Sequence, residues 1–409
     1  MSYLIQEIEV TQFLPTISLS ENHTGVALIL RRQDKPIGFF MQALPAKSVL
    51  TSETIMQIIS NQVGKKIIEE SIREELKVEA ANYGDFPSLT VTICTKDRPD
   101  NLARCLKSLI KLQQSDLEAK PRFEILVVDN APSNNSTKEL VAALSTVSYV
   151  REPKPGLNFA RNRAIQEANG EILAYIDDDV VVDRNWLNGL MEAWAENTSA
   201  GAFTGQVLSY ALETEAQIVC EQRGGFRKGF DKIRFGQTLP DNPLYPCGAG
   251  VFGVGCNMAF RREILIKLGG FDEALDAGAA LPGGGDHDMF YRVVRAGYIL
   301  VYEPLYLVYH EHRRDYAGLK RQYSRSWGLG FTSYITKCYL SDPSQRQKLR
   351  HLILWWFNYE LRQLSESLLG KHPLSPNILL AELLGGITGL LGEYSRSKKR
   401  TEKIIRQLS

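Results

Sequence analysis

The sequence predicts an α/β fold: a mixed, mostly parallel β-sheet covered by helices, with a small N-terminal α+β unit and a helical C-terminal region. Two observations carry this. From Leu89 onward, short Val/Ile-rich runs that are apolar on both faces alternate with amphipathic segments, the pattern of parallel strands buried between helices. Acidic residues also gather where those runs end, at Asp97, Asp129 and the triplet Asp177–Asp179. In open α/β sheets, ligands bind outside the carboxyl ends of the strands.

Three zones follow one another, predicted at residues 1–84, 87–314 and 315–409. In the first, TGVALILRRQDKPIGFFMQAL reads as two strands around a polar turn at Gln33 to Pro36. SETIMQIISNQVGKKIIEESIREELK follows as a helix, with Ser52 as the expected cap. In the second, LTVTIC, FEILVVD, VSYVRE and EILAYID are strands. Between them lie the helices DNLARCLKSLIKL, TKELVAAL and LNFARNRAIQEANG, the last expected to close at Gly170. Asp183 is the expected cap of RNWLNGLMEAW. The third zone is helical, and NILLAELLGGITGLLG reads as too short, with Glu382 inside it, to cross a membrane. With Trp355, Trp356 and the basic RSKKR nearby, it packs on the central unit or a second subunit, or lies at a membrane surface.

The composition narrows the class. Among 409 residues, 44% are hydrophobic and 23% charged, an ordinary globular balance. A net charge of +1 gives no field for nucleic acid. The six cysteines are scattered, with no C-x-x-C pair, which argues against zinc or disulfides and for a reducing, cytoplasmic setting. The first residues lack the basic and apolar regions of a signal peptide.

Three consecutive aspartates exceed what a turn or helix cap needs. Crowded carboxylates repel, and a divalent cation removes the repulsion. Asp177 and Asp179, as alternate residues, can turn oxygens toward one ion. Mg²⁺ or Mn²⁺ held by few protein oxygens keeps ligand phosphates in its shell, so metal plus diphosphate is the chemistry to expect. Asp286 follows three glycines, which let backbone approach a ligand closely. In YHEHRRD, His310 and His312 are alternative metal ligands.

Five segments in order, VTICTKDRPDNLARCLKSL, EILVVDNAPSNNST, PGLNFARNRAIQEANGEILAYIDDD, GCNMAFRREILIKLGGFDEAL and GGGDHDMFYRVVRAGY, together resemble family 2 glycosyltransferases. That family has the nucleotide-diphospho-sugar-binding GT-A fold. The resemblance implies that Thr95 and Arg98 lie nearest the nucleoside and that Asp129 accepts a hydrogen bond from the base, commonly uracil. It places Gly156 and Arg161 beneath the nucleotide, Arg161 reaching phosphate or pinning Asp177. Asp177 and Asp179 would hold ribose and metal, with Asp178 beside them and Gly255 in a wall against sugar or acceptor. Asp286 matches the base that deprotonates the acceptor hydroxyl, although Gly285 stands where the family often has an acid; Asp288 shares that role or caps its helix.

The function so implied is metal-dependent, inverting transfer of a sugar from a nucleotide-diphospho-sugar, UDP-linked by the uracil expectation, to a carbohydrate or lipid-linked acceptor. Polysaccharide or glycoconjugate assembly is the setting. A cytoplasmic enzyme that touches the inner face of the plasma membrane, or forms a homo-oligomer, fits the apolar C-terminal zone. The alternative is a catalytically inactive GT-A module that binds nucleotide-sugar, for which Gly285 is the supporting feature.

Overall fold

A computed structural model describes residues 2–76, 86–114, 122–239, 242–276 and 281–408. The expected boundary at Gly84 falls outside them.

In the N-terminal zone the strands are Ser2–Glu9 (β1), Ile17–Ser18 (β2), His23–Arg32 (β3), Lys35–Ala43 (β4) and Val49–Leu50 (β5). β3 and β4 turn through Gln33 and Asp34, both at positive φ (47° and 65°), as two-residue hairpins require. β1 pairs in parallel with β3, giving the order β1-β3-β4, and β2 pairs with β5. The helix Ser52–Leu76 buries Ile55, Ile59 and Val63 against one face. Its first turn is capped by Thr51, whose Oγ1 accepts from Thr54 N–H at 3.3 Å, and not by Ser52, whose hydroxyl donates to the Leu14 carbonyl. The other face packs on the central unit, Ala27 with Leu212 and Ile218, and Ile29 with Leu208 and Leu307. Being covered on both sides explains why β3 is a continuous apolar run.

The central strands are Leu89–Thr95 (β6), Glu124–Asn130 (β7), Val147–Glu152 (β8), Ile172–Asp177 (β9), Val180–Val182 (β10), Ala200–Ser209 (β11), Ile233–Phe235 (β12), Asn257–Arg261 (β13) and Ile299–His310 (β14). They form one nine-stranded sheet, β10-β14-β11-β13-β9-β6-β7-β8, with β12 also on β14. β6 to β9 are parallel throughout, as the two-face-apolar pattern predicts. In the second half β13 runs antiparallel to both neighbours, so its N-terminal end meets the carboxyl ends of the others. β14 is parallel to β11 and ends at the same rim, where the short β10 pairs back on it, Val180 opposite His310. Apolar clusters fill both sides of the sheet.

Two expected helix signals act otherwise. The helix Leu157–Glu167 ends before an extended Ala168, and Gly170 instead donates its N–H to Thr90 Oγ1 at 2.9 Å. A Cβ on Gly170 would stand 2.5 Å from the Thr90 nitrogen, so close strand approach requires that glycine. Asp183 does not cap the helix Trp186–Glu196; Asn185 holds that position, and the buried Asp183 carboxylate pairs with Arg31 of β3.

The C-terminal zone comprises the helical segments Tyr316–Ser341, Arg346–Leu368, Pro376–Thr388 and Tyr394–Leu408. The last two helices follow one another across a break at Leu391 and Gly392, the latter at φ 82°, and residues 376–408 together are the one candidate among the described residues long and apolar enough to cross a membrane. Of its apolar window 39% is buried in the protein. Gly386 lies under Trp356, and Glu382 pairs with Arg223 at 2.9 Å, so this zone is knit to the central unit.

Candidate active site

The rim of the sheet assembles the candidate residues from separate elements. β6 ends at Thr95, β9 at Asp177 and β14 at His310, and the chain between β9 and β10 carries Asp178 and Asp179. Asp178 is buried and accepts from Thr95 Oγ1 at 2.7 Å and from Arg98 Nη1 at 2.5 Å. Arg98 Nη2 reaches Asp179 Oδ2 at 2.8 Å. Arg98 therefore braces the aspartates. A cavity of about 220 Å³ opens here, lined by Thr95, Arg98, Asp177, Asp178, Asp179 and His310, together with Cys94, Lys96, Asn130, Leu157 and Arg313.

Ligand-capable atoms of Asp177, Asp179 and His310 all lie within 4.8 Å of one another. Asp179 Oδ1, 3.3 Å from His310 Nε2, is buried with no hydrogen bond. Two carboxylates and an imidazole with an unsatisfied oxygen suit a hard or borderline divalent cation. His312 is not part of this group. It is buried against Glu221 at 2.9 Å, which also holds Arg227 at 2.5 Å, so its role is to fix the chain behind the rim.

The acids are driven apart electrostatically. Burial, reinforced by the Asp179 charge, pushes Asp177 up to about 6 against the pull of Arg161 and His310. Burial pushes Asp178 up to about 7 despite Arg98. Burial acts on Asp179 too, but His310 and Arg98 outweigh it and hold that carboxyl far below its usual range. Burial is thus the main cause of both raised values, with the neighbouring acids adding to it.

Beneath this rim, Gly156 begins the helix Leu157–Glu167 at φ 146°, its N–H held by Asn130 Oδ1 at 2.9 Å. Arg161, on that helix, is buried; it pairs with Asp276 and touches Asn158 Oδ1 at 3.1 Å, and the charge of Asp177 acts on it as well. Asp129, at the end of β7, is buried, accepts from Tyr149 Oη at 2.9 Å on Oδ2, and leaves Oδ1 without a partner. Burial raises its pKa.

Asp286 enters from the N-terminal turn of the helix Gly285–Arg295. Its Oδ2 accepts from Gly255 N–H and its Oδ1 from His287 N–H, each at 2.8 Å. Burial opposes ionisation, but His287, Arg161 and these two N–H groups prevail and hold the carboxyl below its usual value. Asp286 is not on the wall of the 220 Å³ cavity. It is linked to it through Gly255–Cys256, which precedes β13 where Asn257 pairs with Ile176 of β9. A Cβ on Gly255 would lie 3.0 Å from Asp286 Oδ2 and 3.1 Å from Arg161 Nη2. Asp288 neither caps the helix nor faces the site; fully buried, it is claimed by Arg292 at 2.8 Å and by Lys337.

Asp276 was invisible in the sequence. It sits in a loop, at φ 81°, and meets Arg161 through the tertiary fold alone. A Cβ on Gly285 would stand 2.4 Å from Asn158 Nδ2 and 2.8 Å from Asp276 Oδ2, so the space beside Asp286 is already filled by an acid from elsewhere.

Residues 90–269 match the family model described as Glycosyl transferase family 2. This central domain is a family 2 glycosyltransferase. Its sheet is mixed and mostly parallel with helices around it, and the protein is a glycosyltransferase by class. The glycosyltransferase is 28% identical over 246 residues to the succinoglycan biosynthesis protein ExoM of Rhizobium meliloti, covering 58% of this chain and 72% of that one. It is 23% identical over 272 residues to the pre-mycofactocin glycosyltransferase of Mycobacterium tuberculosis, covering 66% of this chain and 52% of that one. Thus the match spans only about half of the mycobacterial relative. Among solved structures, the mannosyltransferase PcManGT of Pyrobaculum calidifontis, in complex with GDP-Man and Mn²⁺, is 18% identical with a TM-score of 0.46, covering 83% of this chain and 92% of that one.

Proposed function

We propose that this glycosyltransferase moves a sugar from a nucleotide-diphospho-sugar to an acceptor hydroxyl with inversion, assisted by Mg²⁺ or Mn²⁺, in polysaccharide or glycoconjugate assembly. The observation that supports the reading is a pair of groups: the Asp177, Asp179 and His310 cluster at the rim, and the Asp286 carboxylate held by the Gly255 N–H beside Arg161. Asp177, Asp179 and His310 would hold the cation, which when bound neutralises charge developing on the departing diphosphate.

The chain's own residues do the rest. Thr95 and Arg98 fix Asp178 and Asp179, which keeps the rim in register. Asp129, with its free Oδ1, is suited to accept from a nucleobase N–H, and a uridine donor fits that acceptor. Gly156 lets the backbone pass close beneath the nucleotide, and Arg161 contributes positive charge between the aspartates and Asp286. Asp286 stays ionised at neutral pH and takes the acceptor proton as the acceptor oxygen bonds to the anomeric carbon and the bond to diphosphate breaks. Asp276 supplies near Asp286 the negative charge that Gly285 lacks. We assign this chemistry to a unit at residues 87–314, with residues 1–84 and 315–409 as supporting units. Six free, scattered cysteines fit a cytoplasmic setting.

The test is transfer by Asp286→Asn. Its turnover should fall by about 10²–10⁴-fold while the donor still binds. Wild-type turnover in that variant rules out Asp286 as the base. Donor hydrolysis in the wild-type protein separates an enzyme from an inactive binding module.

A further inference from the structure

The last helix pair presents a surface that the transfer chemistry does not use. Between Asn377 and Leu391 the exposed residues are Asn377, Leu380, Leu384, Ile387, Thr388 and Leu391, none of them charged. Leu380, Leu384 and Ile387 recur at spacings of four and three, one stripe along the helix Pro376–Thr388, and Leu391, 67% exposed, follows at the break after it. The preceding helix, Arg346–Leu368, adds exposed Leu354, Trp355, Leu361 and Leu368. Apolar surface of this extent on a soluble chain marks a contact surface.

The chain then changes character. From Glu393 to the end there are six basic residues, Arg396, Lys398, Lys399, Arg400, Lys403 and Arg406, against Glu393 and Glu402, in a protein whose net charge is +1. Arg396 and Arg400 pair with Glu393, while Lys398, Lys399 and Lys403 point into solvent. The inner face of this helix is anchored. Tyr394 Oη donates to Asp272 at 2.8 Å, and Ser397 Oγ donates to the Ala274 carbonyl at 2.7 Å. An apolar stripe followed, across the break at Leu391 and Gly392, by an anchored, outward-basic helix matches the two layers of an anionic membrane surface, acyl chains below and phosphate headgroups above.

We propose that the helices spanning residues 376–408 dock this protein onto an anionic lipid bilayer, lying in its surface. Insertion across the bilayer is opposed by Glu382, buried against Arg223 inside the protein, and by Gly389, whose Cβ would stand 2.6 Å from the Leu329 carbonyl oxygen. The buried side of these helices, opposite the docked face, packs on chain that leads to the site. The Asp272–Ala274 loop beneath it leads to Asp276, and Gly283 and Gly284, just before Asp286, pack on Ser326 and Gly330. Resting on the proposed function, this places a membrane-anchored acceptor within reach of Asp286.

Co-sedimentation of the full chain with vesicles tests the docking without donor or acceptor. Vesicles of phosphatidylcholine containing roughly one-third phosphatidylglycerol should bind the protein, and high salt should release it. Lys398→Gln/Lys399→Gln/Lys403→Gln should weaken binding on the order of a hundredfold. Leu384→Glu/Ile387→Glu should abolish it, with Leu391→Ser as the milder variant if the double one unfolds. Equal, salt-insensitive binding to pure phosphatidylcholine overturns the proposal. So does a concentration-dependent dimer that ignores vesicles and is lost in Leu384→Glu/Ile387→Glu, which assigns the face to a second copy. Resistance to alkaline extraction overturns it in favour of a span. None of these readouts depends on sugar transfer, so the proposed function stands or falls separately.

Discussion

Replacing Arg31 by methionine should unfold the protein at distinctly lower denaturant. Arg31 and Asp183 side chains are 1% and 2% exposed, so neither has water to fall back on. Arg31 Nη2 also reaches Glu7 at 2.9 Å and Tyr309 Oη at 2.7 Å. Taking one partner from a buried pair leaves an uncompensated charge and costs about 3–5 kcal/mol, a large share of a stability of roughly 5–15 kcal/mol. The effect should reach the rim, because Tyr309 pairs with Val181 and the next residue, His310, with Val180. Urea unfolding followed by fluorescence and circular dichroism measures the loss, and Arg31→Met/Asp183→Asn should recover part of it by removing the stranded charge. A loss under about 1 kcal/mol in Arg31→Met, or a double variant no better than the single, would mean that Arg31 and Asp183 do not stabilise the fold as a buried pair.

Other perturbations give equally definite outcomes. Glu382 is pushed up to about 7 by burial and by Glu360, with Arg223 opposing. A carboxyl raised in the fold contributes stability in its protonated form, complete below its ordinary value near 4.5 and lost as pH rises through 7. Stability should therefore decline across that window, and Glu382→Gln should flatten the decline in denaturation measured at several pH values. Gly255→Ala must displace Asp286 or Arg161 by a few tenths of an ångström, since its Cβ would lie 3.0–3.1 Å from both. Transfer should drop about tenfold with unchanged thermal unfolding. Asp288→Asn should lower stability through its pairs with Arg292 and Lys337 while leaving the pH profile of transfer unchanged.

What the sequence revealed depended on whether the signal was local. The triplet at Asp177–Asp179 was legible because a buried strand ends there, and Asp286 because three glycines precede it. His310 and His312 looked equivalent two residues apart; the strand β14 ends at His310, and past its end the chain no longer holds alternate residues on one face, so His310 meets Asp179 and His312 meets Glu221. Asp183 had the local features of a helix cap, and only the docking of β3, some 150 residues away, turns it into an ion-pair partner. Asp276 and its hold on Arg161 had no periodicity or motif to betray them. Gly170 followed a helix, as closing glycines do, yet is needed for contact with Thr90. The parallel half of the sheet followed from its apolar strands, whereas the insertion of β13 between β9 and β11 is a topological fact with no signature in hydrophobic pattern.

Cation-assisted capture of a nucleoside diphosphate, on one side of a separate base, is decided by titration calorimetry. Uridine and guanosine diphosphates would be titrated into wild-type, Asp179→Asn and Asp286→Asn protein, with Mn²⁺ and with chelator. One nucleotide should bind with Mn²⁺ to the wild-type and Asp286→Asn proteins, and bind at least tenfold more weakly in chelator or in Asp179→Asn. Binding indifferent to both chelator and Asp179→Asn, or abolished by Asp286→Asn, contradicts it.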